Sequence, residues 1–281
     1  MEHSRVNQCV SCGSALSGPY CAACGEKVVD LKERTLRHFL MQVLSAFTFA
    51  DSRMMKSMKL MFFRPGLLAR EYVDGKRKPY LSPLQFFFLI NFVYFLVAPF
   101  DTFNTNFQSQ TGGQPYSSLI HDYGVSQMDE SGMEEAAFVA TYNDHSSNIS
   151  KIIILLLALL FAVPLMIFNF RWTYFFDHLM FSLSFISFLL LGVFIVLPYL
   201  LFSLWWMASA VGYNIQVNWN GTGVVAFALT VLGVYLFSAL RTFYQQGLVT
   251  TIFKTLGLML CLVVIVILYR FVLFFVTIWT L

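Results

Sequence analysis

From residue 152 onward the chain is a succession of long apolar runs separated by short polar breaks, a pattern that no soluble fold accommodates. These runs lie at about 152–170, 179–205, 223–240 and 255–280, with an earlier one at about 84–100. Each reaches or nearly reaches the ~20 residues that a ~30 Å hydrocarbon core requires. A backbone in lipid has to satisfy its own N–H and C=O groups, so runs of this length are expected as helices. The expected architecture is an all-α polytopic membrane protein with about five transmembrane helices over residues 84–281. Composition agrees, at 58% hydrophobic and 12% charged residues.

Charge is distributed unevenly. Residues 1–83 carry 13 Lys/Arg against 7 Asp/Glu, whereas residues 101–148 carry 7 Asp/Glu and no Lys or Arg. Basic segments stay on the cytoplasmic side of a membrane. The N-terminal part is therefore expected in the cytoplasm and the acidic 101–148 segment outside. Five crossings then place the C-terminus outside. Arg171 and Arg241 fall in loops expected inside, and Lys151 is on the wrong side. No apolar signal-peptide core precedes residue 84.

Four cysteines near the N-terminus form two C-x-x-C pairs, Cys9/Cys12 and Cys21/Cys24, with Gly13 and Gly25 following each pair. A two-residue spacer lets both thiolates of a pair reach one ion, and two pairs close a tetrahedral all-sulfur site that suits structural Zn²⁺. Iron of the rubredoxin type uses the same four ligands. In a reducing compartment such pairs read as metal ligands and not as disulfides. Residues 1–30 are therefore expected as a small four-cysteine zinc ribbon. Its metal would fold the module, because so short a segment has no core of its own. Cys261 lies in the last apolar run and reads as packing.

Residues 31–83 read as cytoplasmic amphipathic and juxtamembrane helices. Asp30 and Glu33 have capping-box spacing, and Leu36, Phe39, Leu40, Val43, Leu44 and Phe47 recur at helical intervals. A second run, 51–63, carries Met54, Met55, Met58 and Met61 opposite Arg53, Lys56 and Lys59. These helices either lie on the inner membrane surface or pack on the bundle. Lys76, Arg77 and Lys78 form a basic cluster suited to topology and to lipid-headgroup contact.

Ionisable groups at membrane depth are functional candidates by default. Arg270, in the outer third of the last helix, either snorkels to the headgroups or pairs with Asp101 at the end of the first helix. Asp177-His178, beside Arg171, is the candidate for a proton-linked or substrate-contacting group, with an interfacial polar cap as the plainer reading. Asn91 reads as an interhelical contact, and Pro164 and Pro198 interrupt helices two and three. In the 101–148 segment, Ser131 and Glu134 have capping-box spacing before a short helix near 133–142. His121-Asp122 and Asp144-His145 read as solvated polar residues.

The chain shows no G-x-S-x-G, H-E-x-x-H, Walker A or dinucleotide-binding motif. Nucleic acid is disfavoured as a partner, because residues 1–30 hold only Arg5 and Lys27 as basic groups. The order of motifs is more specific. The paired C-x-x-C-G knuckle is followed by Arg64-Pro65-Gly66, then Arg70-Glu71-Tyr72-Val73-Asp74-Gly75-Lys76-Arg77-Lys78-Pro79-Tyr80, then Pro83 and an aromatic-rich helix. Over about residues 9–100 this resembles the bacterial membrane proteins grouped as domain-of-unknown-function family 3667. The resemblance implies a bacterial inner-membrane protein with a cytoplasmic zinc ribbon, and it implies no activity. The motif segment itself reads as an elbow, with Pro65 starting a helix and Gly75 ending it.

Two functions remain open. One is a non-enzymatic membrane scaffold or adaptor whose zinc module docks a cytoplasmic protein. The other is a transporter or lipid-handling protein with a cavity near Pro164, Pro198, Asp177 and His178. Scarce intramembrane charge favours the first.

Overall fold

The computed structural model describes residues 12–15, 18, 21–24, 52–76, 79–97, 103–170, 174–212 and 222–281. The chain divides into two compact units, 1–51 and 52–281. The expected helix over 36–47 and its cap at Asp30 lie outside the described residues, as do Cys9, Asp51, Arg77, Lys78, Asp101 and Arg171.

Among its described residues the larger unit is built of helices joined by short turns. Its helices are α1 (Ser52–Phe63), α2 (Leu67–Val73), α3 (Pro83–Val97), α4 (Phe107–Gly113), α5 (Ser117–Glu130) and α6 (Glu135–Phe168). Then come α7 (Phe175–Phe188), a π-helical stretch (Leu189–Val196), α8 (Leu197–Ala210), α9 (Thr222–Tyr244) and α10 (Leu248–Trp279). Among the described residues four helices are long and apolar enough to cross a membrane: Glu135–Phe168, Phe175–Ala210, Thr222–Tyr244 and Leu248–Trp279. They mark the chain as a membrane protein. The first expected span is shorter. α3 has 15 residues, about 22 Å of helix, so alone it falls short of a ~30 Å hydrocarbon core.

Local chemistry explains where these helices begin and turn. Ser82 Oγ accepts the Gln85 N–H at 3.2 Å while Gln85 Oε1 accepts the Ser82 N–H at 3.3 Å. This is a capping box with Pro83 at the first helical position, where a missing N–H costs nothing. In the third span Pro198 interrupts the ladder, since it has no N–H and its ring crowds the carbonyl four residues back. The helix meets this by widening into the π stretch just before Pro198.

α7 and the π stretch form the centre of the bundle, with residues 180–193 almost all buried. α1, α2, α3, α6 and α9 pack around them. Ser182 ties the centre to α6 by donating to the Ala158 carbonyl at 2.7 Å. α6 and α10 run antiparallel and are pinned twice. Lys254 Nζ donates to Asn169 Oδ1 at 2.8 Å, and Tyr269 Oη donates to the Ser150 carbonyl at 3.3 Å. The pins are about 22 Å apart along α10 and about 28 Å along α6 at ~1.5 Å per residue. Residues 152–168 and 255–269, between the pins, contain no Asp, Glu, Lys, Arg or His. The pins thus bracket one apolar slab of roughly bilayer thickness. The end at Asn169, Tyr244 and Lys254 is termed the near end, and the end at Ser150 and Arg270 the far end. Between them, Leu256, Leu260 and Val264 continue an exposed apolar stripe of α10 that starts at Phe253, as on a lipid-facing helix.

α1 and α2 pack on the bundle. The Phe62 ring lies 6.0 Å from Phe188, edge to face. Phe188 is about 20 Å along α7 from its start, so the tip of this hairpin reaches well into the bundle's depth.

Residues 103–148 form a folded cap, not an open acidic loop with one short helix. α6 starts at Glu135 and continues without a break into the second span. Its first turns pack with α4, α5 and the tail of α10 around Phe107, Tyr116, Phe138, Tyr142 and Phe274. Phe107 meets Phe138 at 5.4 Å and Tyr142 at 5.2 Å in edge-to-face geometry. Ser131 closes α5, donating to the Met128 carbonyl at 2.6 Å, and Glu134 makes no side-chain cap on α6. Phe107→Ala is expected to cost about 3–5 kcal/mol within this cap. In detergent-solubilised protein, hydrogen exchange should then accelerate over 107–130 while residues 152–168 stay protected.

Candidate functional site

Two arrangements of functional side chains stand out, one in each unit. In the N-terminal unit the Sγ atoms of Cys12, Cys21 and Cys24 all lie within 4.8 Å of one another. Cys12 Sγ and Cys21 Sγ are 3.5 Å apart. Thiolates around tetrahedral Zn²⁺ at ~2.3 Å stand about 3.8 Å apart, so three soft donors already have ligand spacing. Cys21 is buried, whereas Cys12 and Cys24 are exposed. Hydrogen bonding by the Ser14 side chain and backbone, then by Cys24 and Cys21, draws the Cys12 thiol down to about 6. That favours the thiolate, which is the form that binds metal. Among the described residues, no other group of three or more Cys, His, Asp or Glu side chains comes together at ligand distance. His121 instead meets the Thr111 carbonyl through Nδ1 at 3.2 Å.

In the larger unit a polar lock forms where the α1–α2 hairpin meets the near end. Gly66 makes the approach possible. It precedes α2 at φ 79°, a left-handed conformation, and a Cβ there would stand 2.4 Å from the Ala239 carbonyl oxygen of α9. Pro65 lies in the turn before this cap, two residues ahead of the first helical position, Leu67. α2 ends in a Schellman motif: the Lys76 N–H bonds the Glu71 carbonyl at 2.9 Å and the Gly75 N–H bonds the Tyr72 carbonyl at 3.2 Å. Gly75, at φ 95°, supplies the left-handed residue that this motif needs.

Between these two glycines Arg70 makes the decisive contacts. Its Nη1 donates to the Phe243 carbonyl at 2.9 Å, and its Nε donates to Asp74 Oδ2 at 2.7 Å. Phe243 lies in the last turn of α9, where carbonyls lack intrahelical partners and a cation is favourable. Tyr72 packs on Phe176, ring centres 6.5 Å apart. Asp177, in the first turn of α7, is 9% exposed and feels the charges of His178, Asp74 and Arg70. A carboxylate there complements the helix N-terminus. His178 is fully buried, and its Nδ1 lies 2.7 Å from Tyr244 Oη. The structure thus gathers Arg70, Asp74, Asp177, His178 and Tyr244 into one cluster. Sequence reasoning singled out Asp177 and His178 but missed Arg70, Tyr244 and the Phe243 carbonyl. Arg70 stood in a recognised motif, which was the available signal.

The other candidates are placed as follows. Lys76 pairs with Glu71 at 2.8 Å on the surface, and that carboxylate raises its ammonium above the ordinary lysine value. Arg270 donates to Gln114 Oε1 at 3.3 Å, and its carbonyl accepts from Gln110 Nε2 at 3.2 Å. It lies beside a far-end cleft of about 330 Å³. Burial pushes the nearby Tyr116 phenol up to about 12, with Arg270 opposing. Asn91 Nδ2 donates to the Lys151 carbonyl of α6 at 3.1 Å.

Residues 51–95 match the model of a family described as a protein of unknown function (DUF3667). The chain resembles that family over the docking segment. The matched stretch is α1, α2 and most of α3, the part that carries Gly66, Arg70 and Gly75. No curated protein and no solved structure matches the chain.

The lock predicts an order of effects. Gly66→Ala should cost about 1–3 kcal/mol through strain alone, before the clash with Ala239 is counted. Arg70→Ala should cost about 1.5–3 kcal/mol, because it removes a charged donor from a helix-end carbonyl. Asp74→Ala should cost under about 1 kcal/mol, because that side chain is about half exposed and its ion pair is screened by water. Thermal unfolding of the three variants in one detergent checks the ranking.

Proposed function

We propose that this protein is a scaffold or adaptor of the bacterial inner membrane, built around a helix bundle and carrying a cysteine–metal module for a cytoplasmic protein partner. The near end faces the cytoplasm in this reading, and α3 joins the four longer helices as a fifth crossing, leaving the C-terminus outside. The arginine and lysine excess of residues 1–83 and the acidic 101–148 segment support that orientation. Three cysteine sulfurs at ligand spacing support the metal module, with Cys9 as the fourth ligand and Zn²⁺ as the ion. The metal would cross-link two short turns and so hold the module folded.

The observation that carries the scaffold reading is the state of Asp177 and His178. These residues were the sequence's best candidates for a transported proton or substrate. They are buried beneath the α2 motif, with His178 bonded to Tyr244. Groups used in this way hold helices together and do not line a path.

Full-length protein purified in detergent should contain one zinc per chain by elemental analysis, and Cys21→Ser should lose it while the bundle's melting temperature stays unchanged. The functional test is photo-cross-linking in cells from residues 14, 18 and 22. The account expects one adduct of defined mass, lost in Cys21→Ser and kept in Asp177→Asn. Solute or lipid movement in reconstituted vesicles that Asp177→Asn abolishes would contradict it.

A further inference from the structure

A cleft of about 530 Å³ opens at the near end, between the end of α6 and the loop joining α9 to α10. Lys254 stands in its wall, seven residues into α10. Side chains on a helix lean toward its N-terminus, so the ammonium reaches back to the near end. There it donates to Asn169 Oδ1 at 2.8 Å. Asn169 is 2% exposed and is oriented by its own Nδ2, which donates to the Leu165 carbonyl at 2.9 Å. Gln246 Nε2 donates to the same Asn169 oxygen at 2.6 Å. That geometry leaves Gln246 Oε1 as a buried acceptor without a partner. Gly247 and Thr250 line the same cleft, so the first amides of a 32-residue helix border it with positive partial charge. The described wall residues include one cation and no carboxylate.

The surroundings narrow the occupant. Phe170 in the wall is 77% exposed, and Val249 and Phe253, the chain neighbours of the wall residues Thr250 and Lys254, are 64% and 70% exposed. The cleft therefore sits at the edge of the apolar slab, where headgroups meet acyl chains. A phosphate answers Lys254 and the helix amides. A hydroxyl or amine on the same ligand answers Gln246 Oε1, and acyl chains answer the apolar rim. We propose that this cleft binds a phospholipid through a phosphodiester headgroup that carries a hydroxyl or amine donor, the chemistry of phosphatidylglycerol and phosphatidylethanolamine. The proposal does not depend on the scaffold reading. It depends on the near end lying at a bilayer surface.

Native mass spectrometry of the full chain in neutral detergent tests it, with phosphatidylglycerol, phosphatidylethanolamine, phosphatidylcholine and inorganic phosphate as separate probes. The expected result is a one-to-one adduct with either of the first two, at least tenfold weaker retention of phosphatidylcholine, and no competition by millimolar phosphate. Lys254→Gln should weaken the adduct at least tenfold, and Lys254→Arg should retain most of it. Gln246→Met should erase the preference over phosphatidylcholine, and it keeps the test valid if Lys254→Gln fails to fold. Equal retention of all three lipids would overturn the proposal, as would an unchanged adduct in Lys254→Gln. Displacement by inorganic phosphate would reassign the cleft to a free anion and overturn the lipid source.

Discussion

An α-helix that ends at a membrane boundary presents its last carbonyls to a region where water is scarce and unpaired backbone groups are costly. The end of α9 meets this constraint with Arg70, whose guanidinium bonds the Phe243 carbonyl across the α2–α9 contact. Much of the near end follows from that one bond. Arg70 reaches Phe243 because Gly66 lets the α2 backbone approach Ala239, and Gly75 then turns the chain away through the Schellman motif. Tyr244, the next residue of α9, holds His178, and Asp177 lies close enough to feel Arg70 and Asp74. A short motif therefore fixes the position of α2, α7 and α9 together.

The same economy of charge shapes the rest of the bundle. Beyond residue 149 the chain has a single acidic residue, Asp177, and five basic ones. Lys151 lies at one boundary of the apolar slab, Lys254 at the other, and Arg270 beyond Tyr269 at the far end. Neutral side chains take over inside the slab. Ser182, Ser184 and Ser187 donate to backbone carbonyls, which satisfies their hydroxyls without placing a charge at depth. The far end differs in kind. Its helices continue past the slab and build an aromatic core of their own, so the segment that is most acidic in sequence is also a folded layer.

The sequence revealed these features unevenly, for physical reasons. Four spans were legible because a bilayer imposes length and hydrophobicity on each helix separately. The cysteine cluster was legible because ligand geometry imposes spacing, and Cys12, Cys21 and Cys24 do come together. The cap was not legible. Phe107 and Phe138 are scattered among polar residues, and part of their core is Phe274, far along the chain. The placement of α1 was equally hidden, since an amphipathic helix has one pattern whether its apolar face meets lipid or Phe188. The Lys254–Asn169 pair was missed because the last apolar run was read from residue 255, which left Lys254 as a mere boundary.

The central claim is that the α1–α2 hairpin is a built-in part of the bundle, locked by Gly66 and Arg70. A structure of the full chain determined in a lipid nanodisc tests it most directly. The account predicts the Arg70 guanidinium within hydrogen-bond distance of the Phe243 carbonyl, the Gly66 backbone against Ala239, and Phe62 packed on Phe188. A hairpin lying flat on the membrane surface, with Arg70 among the headgroups and the end of α9 bonded to other groups, would contradict it.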